Sequence, residues 1–431
     1  MKLRTLLLLL VVVACALSQG GCATVRAKKT AQAEKTDSYT IAPRVTLGVE
    51  RLLNEPEYFK LIKGKRIGLI TNPSGVDHNL VSTIDLLHKN PETKLVKLFG
   101  PEHGVRGDEH AGDSVADSHD KATGTPTFSL YGKTRRPPPE FLEGLDVMIY
   151  DIQDVGSRSY TYIYTMAYAM EACAEANIPF IVLDRPNPCG PTVSGNILDE
   201  SQGTSFVGLY AIPYQYGMTP GETAQLFNDK FNKKKCNLTV VPMSGYHRDM
   251  MQWDTGLAFV PTSPNIPHAP SAVFYNLTGI IGELDDVSIG VGYPLAFEVI
   301  AAPYIDRDKF VAAMRAKNIP GLMVMPISFK PYASKFKGEV VHGAQFFITD
   351  YRKIQPVEAQ IHMMEVLQAQ YPEKNLFAED SKRRDMFDKV MGDKKIRQQI
   401  LAGTSAETII ASYQKDVAAF MEMRKPYLIY Q

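Results

Sequence analysis

The sequence predicts an α/β fold, with a mostly parallel sheet followed by a second, smaller α/β domain. Short, β-rich apolar runs, each ended by polar or turn residues, occur at Arg66–Thr71, Leu95–Phe99, Val147–Asp151 and Phe180–Asp184. Such runs are typical of strands that are buried on both faces. Helical patterns at Leu80–His88 and Tyr162–Ala176 separate several of them. Because strand and helix alternate, we expect a sheet wound as in Rossmann-like domains.

The N-terminus has the pattern of a lipoprotein-type signal peptide covering residues 1–22. Two basic residues precede an apolar run from Leu6 to Ala14, which is too short to span a bilayer. Cys22 is the predicted lipidation site, with Cys15 as a competing site and an unmodified signal peptide cut near Ala23 as the alternative. We therefore expect an exported protein of the cell envelope that is lipid-anchored in the membrane and faces the periplasm or the cell exterior.

Composition narrows the class of protein further. Residues 23–45 are polar and lack an apolar period, which indicates a flexible tether. The chain has 47 basic and 47 acidic residues, so no polycationic surface for nucleic acid is expected. The cysteines beyond the signal peptide, Cys173, Cys189 and Cys236, are odd in number and sparse, which argues against a disulfide framework.

Two domains are expected after the tether, at residues 46–270 and 271–431. A strand at Leu238–Pro242 closes the first domain, and residues 244–280 look rich in loops. The second domain has strand-like runs at Gly321–Ile327 and Ala344–Thr349. It ends in helical patterns at Val357–Gln370 and Glu407–Arg424, the latter with an apolar face.

Polar side chains are concentrated where the predicted parallel strands end. In open parallel sheets, ligands bind beyond these carboxyl ends. The candidates, in chain order, are Asn72 after the first strand; Glu102, His103 and Arg106 after the second; Asp151, Gln153, Asp154, Arg158, Tyr160 and Tyr162 at the third; and Asp184, Arg185 and Asn187 at the fourth. Turns alone do not require this concentration of charge, so we expect a binding site here.

Structural roles compete with functional ones at several of these positions. Asp184 could cap a turn before Pro186, and Asp151 could be a buried ion-pair partner of Arg158. Glu102 is harder to explain structurally, because it lies between a proline and glycines in a loop with no helix to stabilise.

Other chemistries lack their motifs. No G-x-S-x-G nucleophile elbow follows a strand, and no G-x-G-x-x-G follows the first strand. The segment Gly132-Lys133-Thr134 resembles the end of a phosphate loop, but Thr127 stands where the first glycine is needed. His103, Glu109, His110 and His119 lack H-E-x-x-H spacing. We therefore predict no cofactor and no metal.

Four segments carry a resemblance to a known family. GPEHGVRGD, DIQDVGSRSYTY, LDRPNP and YGMTPGE resemble the NamZ-type exo-β-N-acetylmuramidases, glycoside hydrolases formerly described as a domain of unknown function. The resemblance runs from about Leu47 to the C-terminus. It implies a Rossmann-like catalytic domain, a smaller C-terminal domain that completes a cleft, and release of terminal N-acetylmuramic acid from the non-reducing end of peptidoglycan fragments. Glu102 matches the glutamate of the family's GPEHG motif, to which the resemblance assigns catalysis.

Glycoside cleavage needs a proton donor and usually a second group that acts as base or nucleophile. We expect Glu102 to be the acid, and Asp151, Asp154 or Tyr160 to be the second group. Arg106, Arg158 or Arg185 could bind the lactyl carboxylate of muramic acid through a forked hydrogen-bond pair. The remaining rim residues are expected to contact the sugar: Asn72, His103, Gln153, Tyr162, Asp184 and Asn187.

The chain also departs from the family pattern. Where relatives have an EGTNVSEGRGT-like block, residues 283–293 read ELDDVSIGVGY, so that Ile289 and Val291 replace an acidic residue and an arginine. Tyr216 stands in place of a histidine, and the segment after LDRPNP is also different. We therefore expect the same scaffold with a changed sugar subsite. A lipoprotein that binds muropeptides or glycans without cleaving them stays the alternative.

Overall fold

The parallel sheet that the sequence predicts organises the first part of the chain. The computed structural model describes residues 44–107 and 118–431. The predicted signal peptide, the lipidation site Cys22, nearly all of the tether, and Glu109 and His110 lie outside the described residues.

The strands, in chain order, are β1 (Arg66–Thr71), β2 (Lys94–Gly100), β3 (Ser118–His119), β4 (Pro126–Ser129), β5 (Val147–Asp151), β6 (Phe180–Leu183), β7 (Ser194–Ile197), β8 (Pro213–Gln215), β9 (Leu238–Val241), β10 (Val299–Ala302), β11 (Leu322–Phe329) and β12 (Val341–Ile348). The helices are α1 (Gly48–Asn54), α2 (Pro56–Phe59), α3 (Thr83–Lys89), α4 (Pro139–Leu142), α5 (Tyr162–Ala176), α6 (Pro220–Lys230), α7 (Ala269–Thr278), α8 (Arg307–Ala316), α9 (Pro356–Gln370), α10 (Arg384–Met391), α11 (Lys394–Leu401) and α12 (Ala406–Arg424).

Parallel pairing dominates the central sheet, as predicted. Its strand order is β3-β4-β2-β1-β5-β6-β9, and the pairs from β4 to β9 along this order are parallel, whereas β3 pairs antiparallel with β4. Every residue of β5 and β6 is buried, which explains their continuous apolar runs. The chain moves from β1 to β2 and β4 on one side, then returns to β5 and continues on the other. The strand order therefore reverses between β1 and β5, where a crevice is expected.

Local capping sets the helix boundaries near this crevice. The predicted helix at Tyr162–Ala176 is confirmed, and it stops where Asn177 takes a left-handed conformation at φ 55°. The helix predicted from Leu80 begins later, at Thr83. Leu80 itself has φ 64°, which a helix cannot use, and the Ser82 side chain caps α3 by accepting from the Ile84 amide.

The second, smaller α/β part contains the antiparallel sheet β10-β12-β11 and the helices that pack around it. Helix α7 lies in the segment that was expected to be rich in loops. Its start signal is a proline in the first turn, Pro270, which follows His268 in extended conformation. α7 packs on α9, where Gln360 donates to the Asn276 carbonyl at 3.1 Å. Within residues 44–107 and 118–431, no helix combines the length and apolar character needed to cross a bilayer.

Candidate active site

The Asp151–Arg185 ion pair lies at the reversal point between β1 and β5. Arg185 donates from Nε and Nη2 to the two carboxylate oxygens of Asp151, at 2.5 and 2.9 Å, and Thr83 Oγ1 donates to Oδ2 at 2.5 Å. Both members of the pair are buried. The suggestion that Asp151 pairs with Arg158 is therefore wrong: the partner is Arg185. These hydrogen bonds connect Asp151, at the end of β5, to Arg185 after β6 and to Thr83 at the start of α3. We therefore assign Asp151 a structural role.

Thr262, which the sequence did not single out, joins three of the predicted rim residues. Its carbonyl accepts from Asn72 Nδ2 at 3.2 Å and from the Tyr162 hydroxyl at 2.6 Å, and its own hydroxyl donates to the Gln153 carbonyl at 2.6 Å. The Gln153 side chain donates to the backbone carbonyls of Asp154 and Pro186, at 2.9 and 2.7 Å. These bonds hold the ends of β1 and β5 together.

Glu102 follows β2 in a conformationally unusual loop. His103, the next residue, is buried and has φ 74°. Such a conformation in a non-glycine residue costs about 1–3 kcal/mol and is concentrated at functional sites. The Thr161 hydroxyl donates to Glu102 Oε2 and the Tyr162 hydroxyl to the Glu102 carbonyl, both across 3.4 Å. The partly buried Glu102 is thus presented at the start of α5.

Tyr131 and Arg135 extend the surroundings of Glu102, and neither was predicted from the sequence. Burial, together with the negative charge of Glu102, raises the pKa of the Tyr131 hydroxyl to about 12. The Arg135 guanidinium lies 4.5 Å from the ring centre of Phe206 and partly offsets that rise in the pKa of Tyr131. The only signal in the sequence was the Arg135-Arg136 pair after Gly132-Lys133-Thr134.

A tyrosine cluster continues from α5 towards the second part of the chain. The ring of Tyr160 lies 4.9 Å from that of Tyr162 and 5.8 Å from that of Tyr275, measured between centroids. The Tyr275 hydroxyl shares a 2.9 Å hydrogen bond with Ser159 Oγ. Burial raises the pKa of Tyr160 well above its ordinary value, so this phenol is protonated at neutral pH. As a nucleophile it would need a base.

Asp154 is a buried carboxylate of the rim. Its Oδ2 accepts from the Gly156 amide at 2.8 Å and from the Tyr216 hydroxyl, whereas Oδ1 has no hydrogen-bond partner among the described residues. Burial raises the pKa of Asp154 to about 6. Its charge also contributes to the raised pKa of Tyr160.

The predicted arginines at the rim are already engaged. Arg106 donates to Asp120 at 2.8 Å and to Asp85 at 3.0 Å, and this contact lowers the pKa of Asp120 to about 2. Arg185 is held by Asp151, as described above. Arg158 is fully buried, and burial lowers its pKa to about 10.

Within residues 44–107 and 118–431, the side chain of Arg158 donates only to backbone carbonyls. Its Nη1 bonds the carbonyls of Asn196 and Ile212 at 2.7 and 2.8 Å, and its Nη2 bonds that of Met391 at 2.7 Å. The expectation that Arg158 binds a substrate carboxylate is not supported by these contacts, because its guanidinium is enclosed by the chain itself. It connects β7 and β8 to the end of α10.

Asp184 and Asn187 also have structural contacts. Asp184 accepts from the Gly221 amide and the Thr219 hydroxyl, both at 2.8 Å, and from the Tyr430 hydroxyl at 2.6 Å. Asp184 Oδ1 also accepts from the amide of Arg185, just before Pro186, at 3.0 Å. Asp184 therefore connects the turn that follows β6 with the start of α6. The Asn187 side chain accepts from the Cys189 amide at 2.9 Å and donates to a backbone carbonyl.

Part of the 283–293 segment lines a cavity of about 230 Å³ next to the tyrosine cluster. Ile289 and Val291 form part of its wall with Tyr275 and Phe297, whose rings are 5.1 Å apart. The Lys335 ammonium group lies in the same wall and donates to backbone carbonyls, and burial lowers its pKa to about 8. Ile289 and Val291 thus lie in the wall of a cavity that also contains Tyr275, the neighbour of Tyr160.

Comparison with known proteins agrees with this architecture. Residues 67–270 match the family model described as "Exo-beta-N-acetylmuramidase NamZ, N-terminal", and residues 273–430 match its C-terminal counterpart. The chain belongs to the NamZ family. Family membership makes it a glycoside hydrolase, which confirms the resemblance seen in the sequence.

Individual relatives of the NamZ family cover nearly the whole chain. A curated relative, "Peptidoglycan beta-N-acetylmuramidase NamZ" of Bacillus subtilis (strain 168), is 48% identical over 389 residues, which cover 90% of this chain and 92% of that protein. Two crystal structures of DUF1343 family proteins from Bacteroides fragilis NCTC 9343 are also similar. They have 45% and 30% identity and TM-scores of 0.85 and 0.71, and each match covers 90% of this chain and 99% of the other.

Proposed function

We propose that this protein is an exo-acting glycosidase that releases terminal N-acetylmuramic acid, or a related amino sugar, from peptidoglycan fragments. The observation that carries the proposal is the position of Glu102 on a strained loop at the carboxyl end of β2, in a chain that matches the NamZ family along its length. The B. subtilis relative, 48% identical, is named for the same activity. Glu102 is the proton donor to the leaving oxygen.

For the second catalytic group, the contacts favour Asp154 over Asp151. Both oxygens of Asp151 accept short hydrogen bonds from Arg185 and Thr83, so its carboxylate is already engaged as the buried ion-pair partner of Arg185. Asp154 Oδ1 lacks such a bond within the described chain, and its raised pKa of about 6 suits a group that exchanges protons near neutrality. Tyr160, whose pKa Asp154 influences, would then orient the sugar as a hydrogen-bond donor.

For the lactyl carboxylate of muramic acid, Arg135 is the best placed cation. Arg106, Arg158 and Arg185 would each have to give up existing partners. Arg135 is exposed, stacks on Phe206 and lies near Tyr131, which in turn lies beside Glu102. A guanidinium presents a planar fork that matches a carboxylate.

Glu102→Gln tests the proposal. The variant should keep its thermal stability and lower turnover of a chromogenic N-acetylmuramide by about two to four orders of magnitude, the usual loss when a general acid is removed. Glu140→Gln, on the exposed surface of α4, is the matched control and should behave like the wild type. Unchanged activity in a stable Glu102→Gln protein would remove Glu102 from the mechanism.

The same assay addresses the alternative function. If the wild type cleaves neither muramides nor N-acetylglucosaminides but binds muropeptides, the protein is a glycan-binding lipoprotein. An envelope location with a lipid at Cys22 is also part of our proposal. It is supported by the N-terminal sequence alone and is tested by metabolic labelling with a fatty acid in the wild type, Cys22→Ala and Cys15→Ala.

A further inference from the structure

An open aromatic groove lies beside the candidate active site. Trp253, the only tryptophan of the chain, is 42% exposed, and its ring centre is 4.7 Å from that of Tyr351. Phe259 contributes a further apolar wall, and the groove has a volume of about 590 Å³. This volume lies within the range of about 300–1,000 Å³ that is typical of small-ligand sites, which are mostly apolar and aromatic.

The charged side chains that line the groove are paired. Arg352 Nη2 bonds Asp254 Oδ2 at 2.6 Å, and Asp350 pairs with Lys353 at 2.9 Å. An ionic ligand would have to break one of these pairs. The groove therefore suits a neutral molecule with an apolar face, in contrast to the carboxylated muramic acid expected near Glu102.

Gln252 provides a separate indication of a ligand. Its side chain is only 3% exposed, and its Oε1 has no hydrogen-bond partner in the described part of the chain. Buried polar atoms are nearly always hydrogen-bonded, so such an exception calls for an explanation. Gln252 lines this groove and also the smaller cavity that contains Ser74 and Arg185 at the strand ends. An acceptor without a donor thus lies where the groove meets the rim.

We propose that the groove is an accessory sugar subsite for N-acetylglucosamine, the uncharged sugar of the peptidoglycan chain. The C–H groups on one face of the pyranose ring pack on Trp253 by dispersion, and an N–H or O–H of the sugar donates to Gln252 Oε1. This inference rests on the proposed function, because it assigns to the groove a more distant residue of the glycan whose end is cleaved near Glu102. The subsite would hold longer fragments in place during cleavage.

Trp253 makes the experiment direct, because the intrinsic tryptophan fluorescence of the whole protein reports this groove alone. The probe is a hexamer of N-acetylglucosamine, which contains no muramic acid. Titration of the wild type should give a saturable change in emission. Gln252→Leu, which keeps the reporter, should weaken binding by up to about ten-fold, as expected for loss of one neutral hydrogen bond. Because Gln252 Oε1 has no partner in the described chain, this variant should keep the melting temperature of the wild type.

Calorimetry supplies the second measurement. Trp253→Ala should weaken binding of the hexamer by at least about ten-fold, since tryptophan is among the side chains that most often dominate binding energy once a partner covers them. Tyr332→Ala, which removes a 64% exposed aromatic residue outside the groove, is the control and should bind normally. An unresponsive wild type, or equal affinity in all variants, overturns the subsite.

The two proposals fail separately. Normal cleavage of a chromogenic muramide without any fluorescence response to the hexamer would refute the subsite and leave the proposed function intact. A response to the hexamer in a protein that cleaves no glycoside would refute the proposed function and retain the groove as a glycan site.

Discussion

Arg135→Ala is the sharpest test of how the enzyme would distinguish muramic acid from glucosamine, because the two sugars differ by the lactyl carboxylate. Hydrogen bonds to a charged group contribute about 1.5–3 kcal/mol, which corresponds to one to two powers of ten in affinity. Arg135 is exposed, so solvent screening places the effect at the lower end. We expect about a ten-fold rise in KM for a chromogenic N-acetylmuramide, with kcat nearly unchanged. The KM for the matching N-acetylglucosaminide should not change.

The neighbouring arginine is the matched control for this prediction. Arg136 pairs with Glu175 at 2.7 Å, so Arg136→Ala removes the same charge without removing the predicted contact. Arg135→Lys should recover only part of the loss, since an ammonium group lacks the planar fork. If Arg135→Ala raises the KM for both substrates equally, or leaves both KM values unchanged, Arg135 does not bind the carboxylate.

Three further predictions follow from the contacts around the rim. Val291→Arg introduces into the cavity wall the arginine that the resemblance implies for relatives, and it should raise activity on muramides only. If the variant gains no activity on muramides, this wall does not set specificity. Arg158→Ala should lower the melting temperature or abolish soluble expression, because it leaves buried carbonyls unsatisfied at about 1–3 kcal/mol each, whereas Arg135→Ala should not. Burial raises the pKa of Asp184 to about 7 in the folded protein, compared with about 3.9 for an aspartate in an unfolded chain. The contribution of Asp184 to the free energy of unfolding is therefore fully present below about pH 4 and is lost as the pH rises towards 7. Denaturant titrations at pH 4.5, 6 and 8 should show this fall in the wild type and a weaker one in Asp184→Asn.

Several features of this protein follow from short stretches of sequence. The apolar runs that became β1 and β5 are local signals, since a strand buried on both faces has apolar residues at successive positions. The helix Tyr162–Ala176 was predicted with its observed bounds. α7 was missed, because its start signal, a proline in the first turn, lay in a segment whose other residues indicated loops.

The sequence alone determined that the polar residues after the strands gather on one rim, since parallel strands have their carboxyl ends on the same edge. It also led to the family, through motifs that are contiguous in the chain. Only the tertiary structure decided which of those residues have structural partners and which are available to a ligand. Arg106, Arg158 and Arg185 are chemically equivalent in the sequence, but their partners are remote: Arg158 donates to the carbonyl of Met391, 233 positions away, and Arg185 to Asp151, 34 positions away. An arginine is available to a ligand only when such partners are absent, and hydrogen bonds between distant segments depend on how the elements pack.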